Sequence, residues 1–468
     1  MTTIVIIGGG ITGMSTAYYL NQYTRGIEQP VRLIVIEGSS ELGGKISTVR
    51  QGEYIIESGA DSIVSRKTNM EPLLEELGLK DELVYNATGK SYIHVDGQLK
   101  LIPSDSLFGI PMTIESLASS TLVSAEGKVE ALKDFYTPNT TFTENDSIGR
   151  FLEAFLGKEM VDKQIAPVLS GVYSGDLREL TIASTLPYLL KYKNEYGSIM
   201  KGLEANRGTL QKGGDRKFYS FANGLSTLIE RMEERLAGDV ALMKGVRADR
   251  IERISGHYGV VLENGETVEA DHIVISTLHP TAQTLLSSDD LNADFAELRN
   301  SSLISVYIGF DVPDESLPAD GTGFITADSS ELVCNACTWT SRKWEHTSAS
   351  RRLLVRLFYK SSKPAYERLS RMTDAELLEV AVQDVKAAMG IDAKPIHYDV
   401  RKWHDTMPNY HIRHPHIVAS LERKMEELFP NVLLAGCSYY GVGIPDCVAN
   451  GERTARRIAD RITLSHDS

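Results

Sequence analysis

Gly8, Gly10 and Gly13 stand at the spacing that holds a dinucleotide pyrophosphate. The first permits a tight turn, the second lets phosphate oxygens approach the backbone, and the third lets a helix pack on the preceding strand. Gly9, Ile11 and Thr12 complete the turn, which would offer N–H groups to an anion at a helix N-terminus. Glu37, 24 residues beyond Gly13, is placed to accept ribose hydroxyls and would repel a 2′-phosphate, which disfavours NADP. Gly38 follows it, and a second glycine pair, Gly43-Gly44, precedes Lys45 and again lets backbone come close to a ligand. Arg66 and Lys67 put two cations at the start of a helical pattern, against the helix dipole, which points to a role outside helix stability. Cys334 and Cys337 have neither a second pair nor a spaced histidine, and their neighbours read as strand, so they are packing cysteines and no metal is expected.

The elements that must position these groups are legible around them. Thr3 to Ile7 is a short β-branched run of the kind buried in a parallel sheet, and Met14, Ala17, Tyr18 and Leu20 mark the helix after it. Val31 to Ile36 is the next strand and delivers Glu37. Glu53 to Ser62 reads as a strand ending in a tight polar turn. From Val84 to Arg207, after a hairpin at 91–101, helical patterns dominate: Ile114 to Asp134, Ser147 to Leu156, Glu159 to Ser170 and Leu180 to Lys193. Phe108, Ile110, Pro111 and Met112 read as core packing, with an apolar entrance or membrane-touching patch as the alternative. A meander over 240–270, turned by Asn264-Gly265, leads into a strand at 271–277. Strands at 306–310, 323–326, 332–340 and 353–359 and an amphipathic helix from Asp374 to Met389 read as a second, mixed domain. Val432 to Gly436 is a closing strand, and the stretch from Ser438 to Cys447 opens the last helix.

The two glycine motifs with Glu37 between them resemble the amino-terminal motif of the FAD-dependent amine oxidase, phytoene desaturase and protoporphyrinogen oxidase superfamily. The resemblance implies an α/β (α+β overall) fold: a Rossmann-like FAD-binding domain, a mixed-sheet substrate domain and a helical insertion. It implies FAD contacts from Gly8 to Gly13, Glu37, Gly38, Gly43, Gly44 and Lys45, from the turn Gly59, Ala60, Asp61 and Ser62, and from Val246 on the adenine side. Trp403 and the loop Val442, Gly443 and Ile444 would complete the cofactor set, with Cys437 where many relatives carry an acid. The expected division is 1–66, 212–280 and 400–468 for the cofactor; 67–83, 200–211 and 281–399 for the substrate; and 84–199 for the insertion.

Ser170 to Asp176, Trp403 with Pro408 and Tyr410, and Gly441 to Asp446 extend the match along nearly the whole chain. That set resembles the bacterial oxygen-dependent porphyrinogen oxidases of haem synthesis, above all the Gram-positive type that is similar to coproporphyrinogen III oxidases. Relatives of that type also accept protoporphyrinogen IX. The resemblance implies a six-electron dehydrogenation in three steps through FAD, with oxygen reduced to hydrogen peroxide. Lys67, Arg66 and Arg178 are then candidates to hold propionates, and Arg356 and Tyr359, beside Phe358, to line the pocket. It also implies a monomer or weak homo-oligomer in the cytoplasm, at most peripheral membrane contact and transient contact with a ferrochelatase. Competing readings are a flavin amine oxidase, a carotenoid desaturase and a flavin-free escort protein on the same fold.

Composition agrees with an enzyme of several domains. The 468 residues exceed one ordinary core, and 42% are hydrophobic. A net charge of −14 and a pI near 5.4 argue against nucleic acid and against a basic membrane-binding face. An anionic substrate would therefore need a local cluster of cations. The four cysteines suggest a reducing compartment, no run is long enough to span a membrane, and the chain opens on a strand with no targeting peptide.

Overall fold

The computed structural model describes residues 1–27, 29–87, 89–172, 177–210, 217–318 and 320–464. Five parallel strands form its first sheet, in the order Val240–Lys244, Val31–Glu37, Thr2–Ile7, His272–Ile275, Val432–Leu434. The central strand is covered on both faces, which is why it is apolar at every position from Ile4 to Ile7. Ile4 and Ile6 pack with residues of the helices Ile11–Tyr23 and Ile444–Leu464, whereas Val5 and Ile7 pack toward the antiparallel strands on the other side. The two helices meet closely because Gly451 has no side chain: a Cβ there would lie 2.7 Å from the Ser15 Cβ and 2.9 Å from the Thr12 carbonyl. The 240–244 segment, expected in the meander, is the edge of this parallel sheet. The meander itself comprises Ala248–Ile254, His257–Leu262 and Thr267–Ala270.

A second sheet has seven strands, in the order Pro395–Asn409, Arg299–Pro313, Arg352–Lys360, Ala336–Thr338, Gly321–Thr326, Lys90–Val95, Gln98–Leu101. Two consequences differ from the sequence reading. The hairpin at 90–101 is the edge of this sheet and not part of the helical insertion, and the strand Pro395–Asn409 runs through the expected boundary at 400. One face of the sheet is covered by the helix Asp374–Met389, whose Leu377, Ala381 and Val385 are fully buried. Thr373 and Glu376 close a reciprocal capping box at its start. Cys334 and Cys337 are buried in this same core. Only Ala336–Thr338 is strand, a shorter one than the 332–340 expected, and burial pushes both thiols up. Among the described residues no group of three or more His, Cys, Asp or Glu could hold a metal.

The helical unit has its own core, built on Phe151, Leu152, Ile165, Leu189 and Leu203. Ser147 caps Ile148–Leu156 by accepting from the Arg150 N–H, as its position suggested. The expected helix from Ile114 to Asp134 is broken: Ile114–Ser119 stops at Ser120, and Ser124 caps a new helix, Ala125–Ala131. The helix expected from Leu180 begins at Pro187, whose fixed φ suits a first turn. Ile110 and Met112 are buried in the helical core, with Phe108 packed against it. Among the described residues no helix is long and apolar enough to cross a membrane.

Candidate active site

The glycine turn is shaped by close approaches that only glycine permits. Gly8 has φ of +108° and is pinned by the Ser276 hydroxyl, which donates to the Ile7 and Gly8 carbonyls at 3.1 and 2.9 Å. A Cβ on Gly13 would lie 1.9 Å from the Gly8 carbonyl oxygen, so the third glycine is fixed by helix–strand packing. Gly10 differs: its added Cβ would meet nothing nearer than the Gly43 carbonyl at 4.0 Å. The space above Gly10 is open, and it opens at the N-terminus of the helix Ile11–Tyr23, where an anion is stabilised.

The second glycine pair forms the facing wall. The Gly43 N–H donates to the Gly9 carbonyl at 2.8 Å, and Gly10 bridges to Gly43 in parallel fashion. Gly44 has φ of +59° and faces the Gly10 Cα. Glu37 is held at the rim, its carboxylate accepting the Gly9 N–H at 2.7 Å and the Ser39 N–H at 2.8 Å. Val246 donates its N–H to the Glu37 carbonyl at 3.0 Å, which places it beside the rim. Arg247 crosses Gly38 so closely that a Cβ there would be 2.7 Å from its Cγ. Neither Arg247 nor Ser276 was singled out in the sequence. Ser276 could have been, because it ends the strand that returns beside the glycine turn.

The polar turn after Glu57 joins this cradle to the mixed sheet. Gly59 approaches the Lys45 carbonyl so closely that a Cβ would be 2.0 Å away, and the Ala60 N–H donates to the same oxygen at 2.9 Å. Two side chains of the mixed sheet converge on the turn: Trp403 Nε1 and Arg356 Nη2 donate to the Ser58 carbonyl at 3.2 and 3.1 Å. Arg356 is buried, stacked over Tyr307 and Phe358. Burial alone would raise the Asp61 carboxyl, but Lys343, 3.2 Å away, and Arg356 outweigh it and hold Asp61 down to about 2. Ser62 donates to Asp61 at 2.8 Å. Glu57, one turn back, is pushed up to about 7 by burial despite hydrogen bonds from the Leu225 N–H and the Thr48 hydroxyl. Lys343 was not foreseen, and nothing in its sequence neighbourhood marks it.

The loop before the last helix closes the other side. Tyr410 stacks on His414 at 3.8 Å; its hydroxyl accepts the Gly441 N–H at 2.7 Å and donates to the Cys437 carbonyl at 2.5 Å. Lys45 reaches the Cys437 thiol at 3.4 Å. Val442 is exposed and Ile444 buried, with Gly443 between them packed close to Asp446. Lys67 is paired with Asp446, so it sits against this loop, while Arg66 is exposed.

The substrate candidates thus separate. Lys67 and Arg356 border the cradle, the first at the loop and the second at the turn. Tyr359 is a correction: three residues beyond Arg356 on one strand, it points to the opposite face, where its hydroxyl donates to Asp384 at 3.2 Å in the core under the helix Asp374–Met389. Arg178 pairs with Glu153 and Asp162 within the helical unit. Of the motif at 170–176, residues 173–176 lie outside the described residues.

An FAD fits these residues. The open space over Gly10 suits its pyrophosphate, and Glu37 suits its ribose. At the turn, the buried Arg356 Nε and Ser58 Oγ have no hydrogen-bond partner among the described residues, as expected of polar atoms awaiting a ligand.

Comparison with known proteins agrees with this geometry. The family model for flavin-containing amine oxidoreductases matches residues 11–459. The chain is 33% identical to the coproporphyrinogen III oxidase of Bacillus subtilis (strain 168), covering 98% of each chain. It is 31% identical to that of Staphylococcus aureus (strain NCTC 8325 / PS 47), covering 97% of this chain and 98% of the other. A solved structure from Exiguobacterium sp. 255-15, provisionally named a protoporphyrinogen oxidase, superposes with a TM-score of 0.88 at 30% identity over 98% of this chain and 99% of that one. Cyclohexylamine oxidase from Brevibacterium oxydans IH-35A shares the fold at a TM-score of 0.67 and 17% identity, covering 99% of each chain. The chain belongs to the flavin-containing amine oxidoreductase family and, within it, groups with the bacterial coproporphyrinogen III oxidases.

Proposed function

We propose that this chain oxidises coproporphyrinogen III to coproporphyrin III with oxygen as the final acceptor. The observation that carries the reading is the convergence of Trp403 and Arg356 on the Ser58 carbonyl, which sets a cationic, aromatic wall of the mixed sheet against the dinucleotide cradle. Overall, one porphyrinogen loses six electrons and six protons, and three oxygen molecules become three of hydrogen peroxide. Bound FAD supplies the two-electron acceptor chemistry for each step.

The protein's own residues bind and orient. The glycine turn and Glu37 fix the dinucleotide, and the Gly59 to Ser62 turn is held rigid by Lys45 on one side and by Trp403 and Arg356 on the other. Aromatisation of the macrocycle and the flavin provide the driving force, and no Ser/His/Asp triad or carboxylate pair need be invoked. Positioning is the main contribution asked of the protein. Lys67, with Arg66 exposed beside it, would receive substrate carboxylates by exchanging Asp446 for the ligand. Arg356 is engaged with the Ser58 carbonyl, and its role is to hold the turn. The product is the substrate of a metal-inserting enzyme, so transient contact with a ferrochelatase in the cytoplasm belongs to the same reading.

The protoporphyrinogen alternative draws support from the bovine protoporphyrinogen oxidase, 26% identical over 97% of this chain and 98% of that one. Aerobic turnover of the yellow holoprotein with each porphyrinogen decides between them. The reading expects faster porphyrin release from coproporphyrinogen, with three peroxides per porphyrin; faster turnover of protoporphyrinogen, or none of either, would overturn it.

A further inference from the structure

On the strand Arg352–Lys360, alternation puts Arg356, Phe358 and Lys360 on the face turned away from the helix Asp374–Met389. Their register neighbours are Tyr307, Ser305 and Leu303, and Leu303 in turn lies opposite Trp403. Lys360 therefore shares a cross-strand row with the tryptophan that donates to the Ser58 carbonyl. Phe358, Leu303 and Trp403 are each half-buried, whereas the intervening Leu357, Tyr359 and Ile304 are fully buried. The Lys360 end of this face is thus half-buried, whereas Ser305, Tyr307 and Arg356 further along it are buried.

The other cations around the cradle are engaged: Lys343 with Asp61, Lys67 with Asp446, Arg356 with the Ser58 carbonyl and Lys45 with the Cys437 thiol. Lys360 has no carboxylate among the described residues. Among the described residues its Nζ has one polar contact, the Ser170 carbonyl of the helical unit at 3.4 Å, across from the sheet. Burial lowers its pKa. An ammonium held this way is costly unless an anion arrives with a ligand.

We propose that Lys360 is a second carboxylate anchor of the substrate pocket, holding a propionate that coproporphyrinogen carries and protoporphyrinogen lacks. The inference rests on the porphyrinogen reading and deepens it. Lys360 lies four residues along the strand from Arg356, roughly 13 Å, so it serves the part of the macrocycle remote from the Ser58 turn. Coproporphyrinogen has four carboxylates and protoporphyrinogen two, and a second cation is what distinguishes them. The competing explanation is structural: Lys360 satisfies a carbonyl near the C-terminal end of the helix Ala166–Val172.

Lys360→Met and Lys360→Arg separate the two, using the holoprotein with both porphyrinogens and with flavin content and Tm recorded for each. The expected result for Lys360→Met is a KM for coproporphyrinogen raised by about tenfold or more, with kcat and the KM for protoporphyrinogen changed less than about twofold. Lys360→Arg restores most of the loss. Equal changes for both substrates, or a fall in Tm with the KM ratio unchanged, would overturn the anchor and leave the porphyrinogen reading standing. Wild-type protein that oxidises neither porphyrinogen would overturn both.

Discussion

Gly10 and Gly13 separate folding from binding at the scale of a single atom. A methyl group on Gly13 would collide with the Gly8 carbonyl, so Gly13→Ala should lower Tm and flavin content together. Gly10 has an ordinary φ of −72° and open space where its Cβ would go. Gly10→Ala is therefore expected to keep the wild-type Tm of the flavin-free protein to within about 2 °C while weakening FAD binding by roughly tenfold or more. Thermal melts with a flavin titration check both, and unchanged FAD affinity would remove the pyrophosphate from this turn. Glu57 offers a pH test. Its folded value of about 7 lies above the ordinary 4.5, so its stabilising contribution is full below about 4.5 and is lost as pH rises through about 7. The Tm of Glu57→Gln relative to wild type should become more positive between pH 5 and pH 8, by about 1 °C or more. A difference that stays flat would show that Glu57 is ionised throughout.

Among the elements, the helical unit depends on one buried carboxylate. Asp134 and Lys193 are both fully buried. Asp134 accepts from Lys193 Nζ at 3.0 Å, the Ser198 hydroxyl at 2.5 Å, and the Ile199 and Met200 N–H groups at 2.9 and 3.0 Å. It thus ties the turn after Pro187–Tyr196 to the start of Ile199–Ala205. Lys193→Met leaves a buried carboxylate unpaired and should cost about 3–5 kcal/mol, read by chemical denaturation and by earlier proteolysis between 114 and 205. A loss under about 1 kcal/mol would mean that the N–H donors alone satisfy Asp134. None of this was legible in the sequence, where Asp134 stood at the end of an assumed long helix. The parallel strands were legible because burial on both faces makes them uniformly apolar. The Arg352–Lys360 strand was seen too, but most of its positions are buried, so its composition could not say which way Tyr359 points; only the position of Asp384 decides. The strand Pro395–Asn409 was missed because the alternation of Ile396, Tyr398 and Val400 breaks at Arg401-Lys402 and its apolar Ile396 and Tyr398 are exposed.

The whole molecule places its chemistry where two sheets meet. The parallel sheet brings the glycine turn, Glu37 and the final loop together from segments more than 400 residues apart, and the mixed sheet presses Trp403 and Arg356 onto the turn between them. The nucleotide half was legible from local motifs, because a phosphate cradle is made by consecutive residues. The substrate half was not, because its wall is made by strand register, which sets Lys360 beside Trp403 and is invisible in a list of residues. A bound ligand common to both sheets should also stabilise the chain by mass action. The central claim is that a porphyrinogen gives its electrons to FAD held in this cradle, and anaerobic mixing of holoprotein with coproporphyrinogen tests it most directly. The account predicts that the flavin absorbance bleaches, with about one porphyrin formed for every three flavins reduced. Flavin that stays oxidised under excess porphyrinogen would contradict it.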